Sequence, residues 1–396
     1  TMEIHILFLH LAIILFLARI IGDTFGRLGF PPVLGEILVG IILGQSALGL
    51  IQPNEVLKLL AEIGVILLLF HIGLEADINQ LKKVGVPAFV VAFVGAFTPM
   101  LFGALLSYYL LGLPLSVSLF IGGTLTATSI GITVRVLDDL GKMKERFAQI
   151  VLGAAVLDDI FGVIVLAGLY EFSKEGVVHF DALTMLVLYI ASFFLFSPIL
   201  AQILARVISL LSRKLGTEDF VPPTVVGMVF LFAYLAHEVG SPEILGAFTA
   251  GLALSRRFAL PFAMFLRTDE KMAHKVEHTI TPLMWVMTPV FFVYVGLQLN
   301  LKAIDFTSSR FWLLSLLILL VAIISKVMAG FFVKGSIREK LLIGFGMLPR
   351  GEVGLIFAEF GRHSGLYDDM LYAVVIFVVA VTTLVAPIAL KVLAKE

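Results

Sequence analysis

The stretch AAVLDDIFGV, residues 154–163, places two adjacent aspartates in the middle of a long apolar run. Asp158 and Asp159 are the only charged residues between Phe147 and Tyr170, and a helix over this run is long enough to cross a bilayer. A carboxylate at the centre of a bilayer costs about 2.5–3.5 kcal/mol on insertion scales. Because acidic residues inside membrane helices are rare and usually mark ion or proton pathways, the pair indicates a functional site.

The composition is that of a membrane protein. Of the 396 residues, 60% are hydrophobic and only 14% are charged, whereas soluble domains carry about 25% charged residues. The sequence therefore predicts an all-α polytopic membrane protein. It contains no cysteine, which excludes disulfides, thiolate metal sites and thiol catalysis.

Apolar runs interrupted by Pro, Gly and charge clusters predict about thirteen transmembrane helices. The predicted spans are 4–21, 32–50, 55–74, 84–112, 115–138, 147–170, 181–209, 221–238, 242–255, 273–297, 311–333, 339–360 and 367–392. The first run has no basic segment before it and no evident cleavage site, so we expect residues 1–24 to form an extra, retained N-terminal helix.

Basic residues orient these spans. Most Lys and Arg residues fall at alternate junctions, and the opposite junctions hold only Lys174, Lys302, Arg310 and Arg362. The protein is predicted to lie in the cell membrane. Because cytoplasmic loops carry the excess of positive charge, the N-terminus is predicted outside the cell and the C-terminus in the cytoplasm.

Three pairs of segments match between the two halves of the chain. PPVLGEILVG (31–40) resembles PEILGAFTAG (242–251), FHIGLEAD (70–77) resembles VYVGLQLN (293–300), and SIGI (129–132) resembles EVGL (352–355). The halves 25–210 and 240–396 would each hold six spans and start on opposite sides of the membrane. We therefore predict two inverted six-helix repeats, an architecture typical of secondary transporters.

Two predicted spans should be interrupted by unwound segments that cross. TLTATSIGITV (124–134) is rich in Thr and Ser, which compete for backbone hydrogen bonds, and MLPRGEVGLIF (347–357) contains a proline and two glycines. The alternative for each segment is an ordinary kinked helix with Ser and Thr packing. At a crossing, half-helix termini present partial charges to an ion.

The polar residues of these segments are the candidate ion ligands and charge partners. Freed carbonyls and the hydroxyls of Thr126, Thr128 and Ser129 would help to hold a dehydrated cation. Arg350 and Glu352 would neutralise the helix ends or each other, and a purely structural ion pair is an open alternative for these two.

Lys326 is the only charge between Phe311 and Val333, and we expect it to pair with one of the two aspartates. The alternative, a static structural salt bridge, would leave the second aspartate without a partner. Carboxylates are hard oxygen ligands, suited to Na⁺ or Li⁺ and equally to protons. A site that holds either a cation or protons, but not both, exchanges one for the other by competition.

The segments TATSIGITVRVL, LGAAVLDDIFGVIVLA, SKVMAGF and PRGEVGLIFA resemble those of bacterial NapA-type sodium/proton antiporters. These belong to the second monovalent cation:proton antiporter family, and the similarity runs from PPVLGEILVG to APIALK, almost the whole chain. Related potassium efflux proteins, of the Kef type, carry a nucleotide-binding domain after the membrane part. This chain contains no G-x-G-x-x-G unit, so we expect no nucleotide gating within this polypeptide.

The resemblance implies a homodimer with a core domain that moves like an elevator. It implies that Asp159 is the main ion-binding carboxylate, that Asp158 is its neighbour, and that Lys326 pairs with Asp158 and gives up a proton. It also implies that Thr126 to Ser129 form one unwound crossover and that Arg350 and Glu352 flank the other. Family members with two aspartates are electrogenic and exchange two protons for one Na⁺.

Other functions are less consistent with the sequence. A K⁺/H⁺ antiporter of the same family is the nearest alternative, because nothing in the sequence selects Na⁺ over K⁺. A cation channel would favour rings of carbonyls or charges from several subunits, and a sodium-coupled symporter for organic acids would place two aspartates against an anion. We expect no enzymatic activity, no cofactor and no nucleic-acid partner.

Overall fold

The computed structural model describes residues 3–28, 30–75, 78–255 and 270–395. These residues form α-helices joined by short loops and contain no β-strand. The helices are α1 Ile4–Arg27, α2 Pro32–Leu43, α3 Glu55–Glu75, α4 Ile78–Lys83, α5 Gly85–Leu105, α6 Leu115–Thr126, α7 Ile130–Asp139, α8 Arg146–Glu175, α9 Phe180–Leu215, α10 Val221–Glu238, α11 Glu243–Leu254, α12 Glu270–Gln298, α13 Ser309–Ala329, α14 Ile337–Gly346, α15 Gly351–His363 and α16 Asp369–Ala394.

The predicted membrane spans correspond to these helices. In the described residues, ten helical segments are long and apolar enough to cross a membrane, one of them running through α6 and α7 together. Two further predicted spans correspond to the shorter apolar helices α2 and α11. The remaining one corresponds to α14 followed by α15. The prediction of an all-α polytopic membrane protein is therefore confirmed.

Local sequence signals set several helix ends. Pro32 occupies the first turn of α2, where its missing N–H leaves no bond unmade. Ser308, Ser336 and Asp368 cap α13, α14 and α16, each accepting a hydrogen bond from a backbone N–H three residues on. Gly176 ends α8 in the left-handed conformation that glycine adopts without strain.

The described helices divide into two compact units. The first comprises α1, α2, α5 to α8, the end of α12 from Phe292, and α13 to α16. In this unit α5 packs against α6, α8 and α13, while α16 packs against α13, α14 and α15. The second unit comprises most of α3, α4, α9 to α11 and the larger part of α12, and in it α10 and α11 pack against each other and against α9.

Close helix crossings within each unit depend on glycine. In the first unit, a Cβ at Gly40 would overlap the backbone of α12 at Val293 O, and Gly296 lies at the same contact. In the second unit, a Cβ at Gly73 would overlap the backbone of α11 at Phe248 O, and Gly251 lies at that contact. Glycine at both positions of each pair lets the two backbones touch directly.

Candidate functional site

Two helices of the first unit are interrupted where the sequence predicts unwound segments. α6 ends at Thr126 and α7 begins at Ile130, with residues 127–129 between them in non-helical conformation. α14 ends at Gly346 and α15 begins at Gly351, which has a φ of +43°. Pro349 lacks the backbone donor that a continuous helix would require. The prediction of two interrupted helices is confirmed.

The two breaks contact each other. The backbone N–H of Ser129 donates to Pro349 O at 2.7 Å, and the Thr128 hydroxyl donates to Met347 O at 3.0 Å. Further along α7, the Thr133 hydroxyl donates to Gly346 O at 2.6 Å. Backbone groups freed by unwinding are expensive to leave unsatisfied away from water, and here each break satisfies polar groups of the other.

Arg350 satisfies carbonyls at the ends of both half-helices. Its guanidinium donates to Leu125 O in the last turn of α6 at 2.7 Å and to Leu348 O just beyond α14 at 3.1 Å. A third, longer bond reaches Ala322 O on α13 at 3.4 Å. The C-termini of α6 and α14 carry partial negative charge, so a guanidinium fully buried between them is favourably placed.

Lys326, on α13, joins the break after α6 to Asp158 of α8. Its ammonium donates to Thr126 O at 2.6 Å and to the Thr128 hydroxyl at 2.8 Å, and it lies 3.6 Å from Asp158 Oδ2. The Lys326 and Asp158 side chains are 0% and 1% exposed. An ion pair buried this completely is expensive unless hydrogen bonds complete it, and the α6 break supplies them.

Asp159 is also buried, at 7% exposed. Successive helical positions differ by about 100° around the axis, so its side chain leaves α8 in a different direction from that of Asp158. Two adjacent carboxylates therefore leave α8 in different directions inside the first unit.

The remaining predicted site residues have distinct positions. The Thr126 hydroxyl donates to Ala96 O at 3.0 Å and to Gly122 O at 3.1 Å, so Thr126 contacts Lys326 through its carbonyl and not through its hydroxyl. Ser129 is fully buried at the N-terminus of α7. Glu352 lies in the first turn of α15, and its side chain is outside the part of the chain that the structure describes.

Sequence reasoning missed two contacts that support the interrupted helices. The Gly351 N–H donates to the Thr383 hydroxyl of α16 at 2.9 Å, and the Thr124 hydroxyl lies 3.0 Å from Tyr367 OH. The adjacent Thr382 and Thr383 in an otherwise apolar helix were a signal for the first contact, whereas a single tyrosine before α16 gives no comparable signal.

Comparisons with known proteins agree with one another on the family of this chain. Residues 12–396 match the family model described as sodium/hydrogen exchanger, transmembrane. A high-affinity Na⁺/H⁺ antiporter, NhaS3, of Synechocystis is 37% identical over 80% of this chain and 67% of its own length. A Na⁺/H⁺ antiporter of Enterococcus hirae is 34% identical over 98% of both chains. The Na⁺/H⁺-K⁺ antiporter GerN of Bacillus cereus is 35% identical over 97% of this chain and 95% of its own.

A solved structure shares the fold. The sodium/proton antiporter MjNhaP1 of Methanocaldococcus jannaschii superposes with a TM-score of 0.69 at 18% identity, over 100% of this chain and 99% of that one. The family model covers nearly the whole chain, and the relatives are similar over most of it. This chain therefore belongs to the sodium/hydrogen exchanger family.

Proposed function

We propose that this protein exchanges Na⁺, or Li⁺, for protons across the cell membrane. The observation that carries the proposal is the buried Asp158–Lys326 pair at the meeting point of two interrupted helices. Relatives named as Na⁺/H⁺ antiporters, similar over most of the chain, support the same reaction.

Competition for the two aspartates would couple the ions. A bound Na⁺ favours ionised carboxylates, and protons return when the cation leaves. Lys326 stays paired with Asp158 while the cation is absent and gives up its proton when the cation binds. Because these groups lie together in a buried site, their protons come off as a coupled unit.

Electrogenic exchange follows from this assignment. Two protons moved against one Na⁺ leave one net charge per cycle, which couples transport to about 2.3 kcal/mol per 100 mV of membrane potential. The two aspartates and the lysine are the groups that the resemblance to NapA-type antiporters associates with this stoichiometry.

Two helix crossings support the proposal of inverted repeats, residues 25–210 and 240–396. Gly40 and Gly251 occupy equivalent positions in the matched segments, and so do Gly73 and Gly296. Gly40 contacts Gly296 in one unit, and Gly73 contacts Gly251 in the other. The same pair of equivalent positions therefore makes a close crossing twice, as expected when one structural unit is repeated.

Inverted repeats fit alternating access around a fixed site. We propose an elevator-type movement in a homodimer, with the N-terminus outside and the C-terminus in the cytoplasm. The positive-inside pattern supports this orientation. The resemblance to NapA-type antiporters supports both the movement and the dimer.

K⁺ is a second candidate ion. One relative that spans nearly the whole chain is named as a Na⁺/H⁺-K⁺ antiporter. The carboxylates, hydroxyls and carbonyls described at the site are hard oxygen groups, and such groups alone do not select Na⁺ over K⁺.

The test uses purified protein in liposomes with an imposed pH gradient and an internal pH dye. NaCl, LiCl and KCl are added in turn to wild type and to Asp159→Asn. We expect cation-dependent proton movement in wild type, and none in the variant. Cation flux without proton movement would favour a channel or symporter, and proton movement that survives in Asp159→Asn would overturn the assignment of the site.

A further inference from the structure

Arg135 lies in a second, partly buried charge cluster that the ion site does not include. Its Nη2 atom is 3.3 Å from Glu36 Oε1 on α2, and its Nε donates to both carboxylate oxygens of Asp139 at 3.0 Å. The guanidinium lies 5.6 Å from the centroid of the Phe292 ring on α12. We name Arg135, Glu36, Asp139 and Phe292 the Arg135 cluster.

The Arg135 cluster holds α7 against the paired helices α2 and α12. Glu36 lies one helical turn before Gly40, and Phe292 lies one turn before Gly296, so both side chains stand next to the glycine crossing. The Arg135 side chain, 14% exposed, inserts between them. It therefore contacts both helices of the pair at the same level.

Glu36 depends on Arg135 for its counter-charge. Glu36 is 4% exposed, and its second oxygen, Oε2, has no hydrogen-bond partner among the residues that the structure describes. A buried carboxylate without its counter-charge is strongly unfavourable. Separation of α7 from α2 would remove that counter-charge, so this contact favours the conformation seen here.

Arg135 does not depend on Glu36 to the same degree. Asp139 lies four residues further along the same helix and binds Arg135 through both oxygens. If α7 moves away from α2, Arg135 keeps this partner. The cluster is therefore asymmetric: it can open on the Glu36 side without leaving the guanidinium unpaired.

Ser129, at the N-terminus of α7, belongs to the break that contains the proposed ion site, and α7 is a single short helix. Movement at Arg135 and movement at the break are therefore linked through one rigid element.

We infer that Arg135, held by Glu36 and Phe292, is a positioning residue that sets the balance between the two access states of the transporter. This inference rests on the proposed exchange by alternating access.

The test measures the apparent KM for Na⁺ and kcat of proton exchange in liposomes for Glu36→Gln, Arg135→Gln and the double variant. Removing the contact changes the population of the binding-competent state, so KM and kcat should shift together. We expect a shift of about 2- to 150-fold in the single variants, the range for residues in one ion-pair network. The double variant should shift no further than the larger single one.

A purely structural role predicts a different result. Partial misfolding lowers kcat through loss of active protein but leaves KM unchanged. A loss of kcat alone would therefore overturn the inference. Additive effects in the double variant would overturn it as well. Lys142→Gln is the matched control, because it breaks the more exposed Lys142–Glu145 pair in the loop after α7 and should leave both constants unchanged. A shift of equal size in this control would also overturn it.

The two proposals fail in different ways. Wild-type protein without cation-dependent proton movement would contradict the proposed function. Wild-type exchange together with unchanged KM and kcat in Glu36→Gln would contradict only the role of the Arg135 cluster.

Discussion

Replacement of Lys326 by glutamine removes one buried positive charge but keeps a donor at its position. The amide of glutamine can still donate to Thr126 O or to the Thr128 hydroxyl, the two polar partners of the ammonium besides Asp158. The lost attraction is about 4–5 kcal/mol at 3.6 Å for an effective dielectric constant of about 20. Asp158 should respond by binding a proton and keeping it through the whole transport cycle, because an unpaired buried carboxylate costs more than a neutral one.

The consequence for transport is a change in net charge. If Lys326 gives up one of two exchanged protons, Lys326→Gln exchanges one proton for one Na⁺ and becomes electroneutral. A potential of 100 mV should change the steady-state Na⁺ gradient about 50-fold in wild type. This factor follows because one net charge couples to about 2.3 kcal/mol, and each factor of ten corresponds to about 1.36 kcal/mol. It should leave the gradient of the variant unchanged.

The assay sets the membrane potential of proteoliposomes with K⁺ and valinomycin and follows the Na⁺ gradient. Lys334→Gln, the same substitution at an exposed position, should keep the wild-type dependence on potential. Active Lys326→Gln with an undiminished dependence on potential would refute the proposed role of the lysine. Full loss of transport with a normal melting temperature would refute the electroneutral cycle.

Three further substitutions test the packing around the site. Arg350→Gln should abolish exchange and lower the melting temperature. It removes charged hydrogen bonds to the half-helix carbonyls, each of which contributes about 1.5–3 kcal/mol. Unchanged transport would contradict this expectation. Gly40→Ala should destabilise the protein by about 1–3 kcal/mol in thermal melts, since the new Cβ overlaps the backbone of α12. The control Gly227→Ala places its Cβ in open space and should not destabilise the protein. Tyr367→Phe loses only the contact with Thr124 and should cost about 0.5–1.5 kcal/mol with nearly normal transport, and its failure to fold would show a larger role.

The membrane spans and both helix breaks could be predicted from the sequence because their signals are local. Apolar length determines the spans. Pro349 and Gly351 in one segment, and the cluster of threonines in the other, weaken helices wherever they occur. The pairing of Lys326 with one of the two aspartates was also predictable, because very few charges occur in the apolar spans and buried opposite charges attract each other.

The roles of two arginines could not be predicted in the same way. Arg350 donates to carbonyls of α6, of α13 and of the break after α14, and no sequence signal reports which backbone oxygens approach a side chain. Arg135 resembles any basic residue at a junction between membrane spans, and its sequence position suggests topology alone. Its burial against Glu36 depends on the glycine crossing of α2 and α12, which brings together segments far apart in the chain.

Proton release on cation binding tests the central claim most directly. NaCl is titrated into purified protein in weak buffer with a pH dye, at several pH values, for wild type and Asp159→Asn. Competition predicts that Na⁺ releases protons from wild type, that its apparent affinity weakens as the pH falls, and that the variant releases none. Saturable Na⁺ binding without proton release, equally tight at low and high pH, would contradict a shared site for the cation and the protons.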